Sequence, residues 1–203
     1  MQDRNFEFWQ YLSQNQKDLI LEGQYLMNDI IKDNAYHFKD YSFLVFPFAK
    51  AFEGFLKQLF RDNSFISHLD YISDHLRLGK LMSPNLISRL GERSLYKKIT
   101  EKTNQELAEK IWQAWKIGRN QIFHYYPHNL KAISFQEAEE IINQIIEMME
   151  EAYTKLNQKS KVQMSNHPDL IGIELWTWFE FWILDFILGS FLPRTQISFL
   201  FNS

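Results

Sequence analysis

A chain of 203 residues with a net charge of −3 is long enough for one domain with a sizeable core, or for one domain and an appendage. Hydrophobic residues make up 45% and aromatic residues 16%, which excludes a chain disordered throughout; the lack of cysteine excludes a disulfide scaffold, a thiolate metal site and a cysteine nucleophile. With 7 Gly and 5 Pro the chain suits long helices rather than a many-stranded sandwich, and no basic stretch followed by an apolar core opens it, so a cytoplasmic protein is expected.

The first thirty residues read as helix. Leu19, Leu26 and Ile30 keep helical spacing, with Ile20, Met27 and Ile31 alongside. "KDNAYHFKDY" reads as a turn. A stronger helix follows, in which Phe48, Phe52, Phe55, Leu56 and Leu59 fall at i, i+4, i+7, i+8 and i+11 and make one broad apolar face. Pro47 fits if that helix starts beside it, and kinks a longer one. A second stripe on the same helix, Ala49, Glu53, Leu56 and Phe60, sets a carboxylate at the border of an apolar face, where it needs a partner or water.

Residues 64–102 are less regular. Ser83 as N-cap, Pro84 at the first helical position and Gly91 as a stop predict a short helix, and "RSLYKKITEKTNQ" reads as a basic, exposed connector. A third long helix begins near Asn104, with Leu107, Ile111, Ala114, Trp115, Gly118 and Ile122 on one face. Pro127 disfavours helical geometry at Tyr126, so "YYPHN" is expected to end it. The fourth helix opens on a capping box, Ser134 with Glu137, and then carries Phe135, Ala138, Ile142, Ile145, Met149, Ala152 and Leu156 at helical period. Four long helices with short links make an all-α, antiparallel four-helix bundle with extra short helices the expected fold, over residues 1–160.

Beyond it, "NQKSKVQMSNHPD" reads as a polar linker. Residues 161–203 form a hydrophobic, aromatic C-terminal segment with a helix in it. Its length suits a membrane span, but Glu174, Glu180 and Asp185 interrupt it, and an acidic group near a span's centre costs roughly 2.5–3.5 kcal/mol. A packed helix or protein interface, a membrane association and a tail without function all remain open.

Charge is unevenly spread. Residues 1–76 carry 7 Lys and Arg against 11 Asp and Glu, residues 77–131 carry 11 against 4, and residues 132–203 carry 4 against 10. A positive middle between acidic ends can attract a polyanion locally. Inside that middle lies "KIGRNQIFHYYPH", with Arg119, Asn120 and His124. On a regular helix Arg119 and His124 diverge by roughly 140°, so the helix must end near His124 if the two act together. The residue types suit phosphate chemistry. Histidine takes and gives a proton near neutral pH, and the arginine fork binds a phosphate or the charge developing on it. Glu53, on a facing helix, is expected to pair with Arg119 or His124. Trp112 and Trp115 are expected in the core, while Phe123, Tyr125 and Tyr126 have the chemistry to stack on unpaired bases. His37, His68, His75, His128 and His167 show no metal-ligand spacing, so neither a metal nor a cofactor is called for.

Arg119-Asn120 followed by His124, near the end of the third long helix, resembles the R-x4-6-H signature of the HEPN superfamily. With the Glu53-bearing "FPFAKAFEGFLKQLF" helix it is similar to the RNase LS toxin branch over residues 41–156. The resemblance implies a metal-independent endoribonuclease of a toxin–antitoxin or phage-defence system. In it the RNA 2′-hydroxyl attacks the adjacent phosphate to leave a 2′,3′-cyclic phosphate. It implies a homodimer with both motifs facing one cleft, and an antitoxin or inhibitor protein as a further partner. Arg119 and His124 would carry the chemistry, with Asn120 orienting and Glu53 positioning. Lys116, Tyr125, Tyr126 and His128 would contact RNA. Two other readings stand beside it: a non-catalytic HEPN-like interaction module, and a membrane-associated effector acting through the C-terminal segment.

Overall fold

The computed structural model describes residues 6–124 and 131–165, with side chains described as far as residue 157. The chain divides between Gln158 and Lys159 into two units, the second lying almost wholly outside the described residues. The described residues are all-α: α1 (Phe6–Tyr11), α2 (Gln14–Tyr25), α3 (Ser42–Asp62), α4 (His68–Ile72), α5 (Leu78–Leu81), α6 (Ile87–Leu90), α7 (Leu95–Lys102), α8 (Gln105–Trp115) and α9 (Phe135–Ser165).

The N-terminal helical run breaks at Ser13, which starts α2 with a capping box: its hydroxyl accepts from the Gln16 amide, and the Gln16 side chain accepts from Ser13 N–H. Gln16 is buried and donates to Gln58, which donates in turn to the Tyr11 carbonyl, so one amide chain ties α1 and α2 to α3. A π-helical turn, Leu26–Ile31, extends α2. Of the expected apolar pairs, Ile20, Met27 and Ile31 are buried, while Ile30 is exposed.

The long helix α3 begins five residues before Pro47, so the proline lies inside it rather than at its first position. The early start is supplied by Asp40, whose carboxylate accepts from the Ser42 amide at 3.0 Å, the Ser42 hydroxyl at 2.5 Å and the Ile133 amide at 3.3 Å. The last of these, with Tyr41 N–H donating to the Ile133 carbonyl at 3.0 Å, pins the approach to α9 against the start of α3. Phe48, Phe52, Phe55, Leu56, Leu59 and Phe60 are all at most 2% exposed. Burying each such side chain contributes about 1.5–3 kcal/mol, which makes this face the centre of the core.

Pro84 opens a 3-10 turn that runs into α6, and Gly91, at φ 52°, stops it as expected. The "connector" after Gly91 is corrected: it folds as α7, because Ser94 caps Lys97 N–H and Leu95, Tyr96 and Ile99 turn a buried face inward. The lysines between them made the segment read as exposed. In α8 and the turn after it, the whole expected face from Leu107 to Ile122 is buried. Helix α9 opens on the expected Ser134–Glu137 box and buries Ala138, Ile142, Ile145, Met149, Ala152 and Leu156. It also continues to Ser165, through the stretch that read as the start of a linker. Residues from α1, α2, α3, α8 and α9 share one hydrophobic cluster. Among the described residues no helix is long and apolar enough to cross a membrane, and the aromatic segment 170–203 lies outside them.

Candidate active site

The third long helix does not run to Tyr126. After Trp115 the backbone widens into a π-helical turn, Lys116–Asn120, closed by Gln121 N–H donating five residues back to the Lys116 carbonyl at 3.0 Å. Gly118 sits in the middle of that turn against α9. A Cβ there would lie 2.7 Å from Ile145 Cδ1, closer than packed carbons come. Glycine thus lets the turn approach the core while Arg119 and Asn120 after it reach the pocket. A widened turn turns each residue through a smaller angle than an α-helix does, and such turns recur at functional sites. The helical run ends at Asn120, so His124 follows a non-helical segment and its direction owes nothing to α-helical phase.

The consequence is a pocket of about 400 Å³ lined by Glu53, Arg119, Asn120 and His124 together with Phe46, Ala49, Lys50 and Phe123. The four expected catalytic residues come together from two elements, α3 and the segment leaving α8. The Arg119 guanidinium forms an ion pair with Glu53 Oε2 at 2.9 Å and lies over the Trp115 ring at 5.0 Å. It is held between a carboxylate and a π face, yet its side chain stays 46% exposed, with donors left for a ligand. Trp115 is 2% exposed and packs on Phe52, so the platform under Arg119 is core. Glu53 also lies 3.7 Å from Lys57 through its other oxygen. Of the two partners expected for Glu53, the structure gives it Arg119.

Phe46 and Phe123 meet edge to face at 5.7 Å and are 55% and 40% exposed, a wet aromatic pair on the pocket wall. Phe46 and Lys50 were missed by the sequence reading, although they precede Glu53 by seven and three residues and share its helical face. Lys116, expected to contact RNA, does not line the pocket. Tyr125, Tyr126 and His128 lie outside the described residues. Among the described residues no three His, Asp or Glu side chains gather as metal ligands would. No family model, curated protein or solved structure matches the chain.

Proposed function

We propose that the chain is an endoribonuclease of the HEPN type whose four long helical segments form the antiparallel bundle of that superfamily, and that it acts as an RNA-cleaving toxin held in check by an inhibitor protein. One observation supports this above the rest: Glu53, Arg119, Asn120 and His124, distant in sequence and out of phase on a regular helix, line one pocket. The His124 imidazole removes the ribose 2′-proton. The 2′-oxygen attacks phosphorus, and the bond to the 5′-oxygen breaks. The leaving 5′-oxygen takes its proton from an imidazolium, supplied by the His124 of a second copy across a dimer cleft. Arg119 neutralises the charge that builds on the phosphoryl oxygens, and Glu53 and Trp115 fix where its fork points. No step draws on a metal.

The experiment is incubation of the purified protein with RNA in EDTA, followed by end-group analysis. Fragments ending in 2′,3′-cyclic phosphate and beginning with 5′-hydroxyl are expected. His124→Ala should lose at least about 100-fold in cleavage, the usual scale of a general acid–base, with an unchanged helical circular-dichroism spectrum. Full cleavage by that variant would overturn the mechanism.

A further inference from the structure

The basic middle of the chain is not gathered at the Arg119–His124 motif alone: four of its eleven cations, Arg77, Lys80, Arg93 and Lys98, line a second site. Two adjoining cavities, of about 510 and 210 Å³, lie between the C-terminal end of α3 and the short helices α4 to α7. Arg61, Arg93 and Lys98 line the first; Arg77 and Lys80 join Arg93 in the second; Asp70 is the one carboxylate lining either. Asp70 is engaged by Ser67, accepting from its amide at 3.1 Å and its hydroxyl at 2.7 Å. Arg77, Lys80, Arg93 and Lys98 form no ion pair among the described residues. Like charges gathered around a concave surface repel one another and focus a positive potential into it, an arrangement that an anion relieves. The loop entering this bowl also holds Ser64 at φ 58°, a conformation costing a non-glycine residue about 1 kcal/mol or more, retained where the chain lines the cavity.

The bowl is joined to the candidate active site by α3 itself. Lys50 lines the Glu53–Arg119 pocket and Arg61 lines the bowl, and with Lys57 they fall at i, i+7 and i+11 on one face of α3 spanning roughly 16 Å at 1.5 Å per residue; Lys50 is exposed, and the half-buried Lys57 and Arg61 rest beside Glu53 at 3.7 Å and on Asp62 at 2.7 Å. We infer that the bowl is an exosite for backbone phosphates of a single-stranded RNA whose scissile phosphate sits at Arg119 and His124. That the strand is RNA rests on the proposed function. The row of cations between two concave basic sites is what a strand of spaced phosphates matches, and single-strand binding grooves follow several nucleotides in this way. The pocket at Arg119 supplies chemistry, and the bowl supplies grip and register.

The test measures binding, not cleavage. The full chain carrying His124→Ala leaves the strand intact, and its affinity for a fluorescein-labelled single-stranded RNA is read by anisotropy across a potassium chloride series. Adding Arg77→Ser with Arg93→Ser removes two phosphate contacts. The slope of log affinity against log salt should become shallower by roughly 1.4, at about 0.7 per contact on a single strand. Arg77→Lys with Arg93→Lys should keep the slope, because counterion release counts charge. An unchanged slope and affinity in the serine variant would overturn the exosite, as would a lysine variant that loses as much as the serine one. Polyglutamate displacing the RNA at equal charge concentration would also overturn it, marking the bowl as a surface for acidic protein. Wild-type cleavage in EDTA tests the other reading separately, so a chain that binds through the bowl and cuts nothing would fail there alone.

Discussion

Glu53→Gln separates positioning from folding at the candidate site. The substitution keeps the size of the side chain and one acceptor oxygen but removes the charge facing Arg119 at 2.9 Å. The pair is half in water, with Arg119 46% and Glu53 26% exposed, and such pairs contribute at most about 1 kcal/mol to stability. For a body of this size that is a shift of roughly 2–4 °C in Tm. Catalysis is expected to respond more steeply. The arginine fork has two holds, Glu53 and the Trp115 face, and losing one frees it to swing; misplacing a phosphate-binding group by about 1 Å can cost about 100-fold. The expected outcome is a fall of about 10- to 100-fold in single-turnover RNA cleavage with KM little changed and Tm within a few degrees. The assay is single-turnover cleavage with thermal unfolding on the same preparation. Wild-type cleavage rates in a folded Glu53→Gln protein would refute the positioning argument. A loss of stability far beyond the surface-pair scale would refute it too, by making Glu53 a structural residue.

Two further outcomes follow from the packing and the pH response. Gly118→Ala should destabilise by about 1–3 kcal/mol, the scale of overpacking, because its Cβ would meet Ile145 Cδ1 at 2.7 Å and the Ile145 side chain, 1% exposed, is confined by the core; a Tm equal to wild type would show that Ile145 yields freely. Asp40 sets the acid side. Burial works to raise its carboxyl, but donation from the Ser42 side chain, the Ser42 amide and the Ile133 amide outweighs it and holds the group below its ordinary value near 3.8. A carboxyl depressed in the folded state contributes stability that is present above the ordinary value and lost as pH falls through the folded one. Thermal unfolding between pH 5 and 3 should therefore fall less steeply in Asp40→Asn than in wild type, and parallel curves would remove Asp40 from the account.

The helices were legible where apolar period and caps agreed. The Phe48–Leu59 face and the Ser134–Glu137 box were readable because each is a local rule: one needs only spacing, the other only two polar side chains three residues apart. The failures have separate causes. Helix α3 starts at Ser42 because Asp40 accepts from the Ser42 amide and hydroxyl, and the same oxygen is tied to Ile133, 93 residues away, which nothing near Pro47 announces. Helix α7 was hidden because three lysines, Lys97, Lys98 and Lys102, outweigh Leu95, Tyr96 and Ile99 in composition, although those three suffice to bury one face. The basic block was readable as a sum and incomplete as a place: four of its eleven cations, Arg77, Lys80, Arg93 and Lys98, line the bowl rather than the Arg119 pocket.

The motif itself shows how a correct phase argument can point the right way through its own failure. On an α-helix Arg119 and His124 diverge by roughly 140°, and two side chains so placed cannot share a pocket. The pocket they share therefore demands a break in the ladder between them. The sequence offers Pro127 for that break, which would have left the α-helix intact beyond His124. The structure breaks it earlier. The ladder slips by one residue at Lys116, Gly118 supplies the room against Ile145, and the helix is over by Gln121. An inserted turn costs hydrogen-bond geometry, and here it leaves Gly118 and Ile122 in the core while Arg119 and Asn120 line the pocket beside Glu53. Core and site thus make opposite demands on five consecutive residues, and the wide turn is the backbone that meets both.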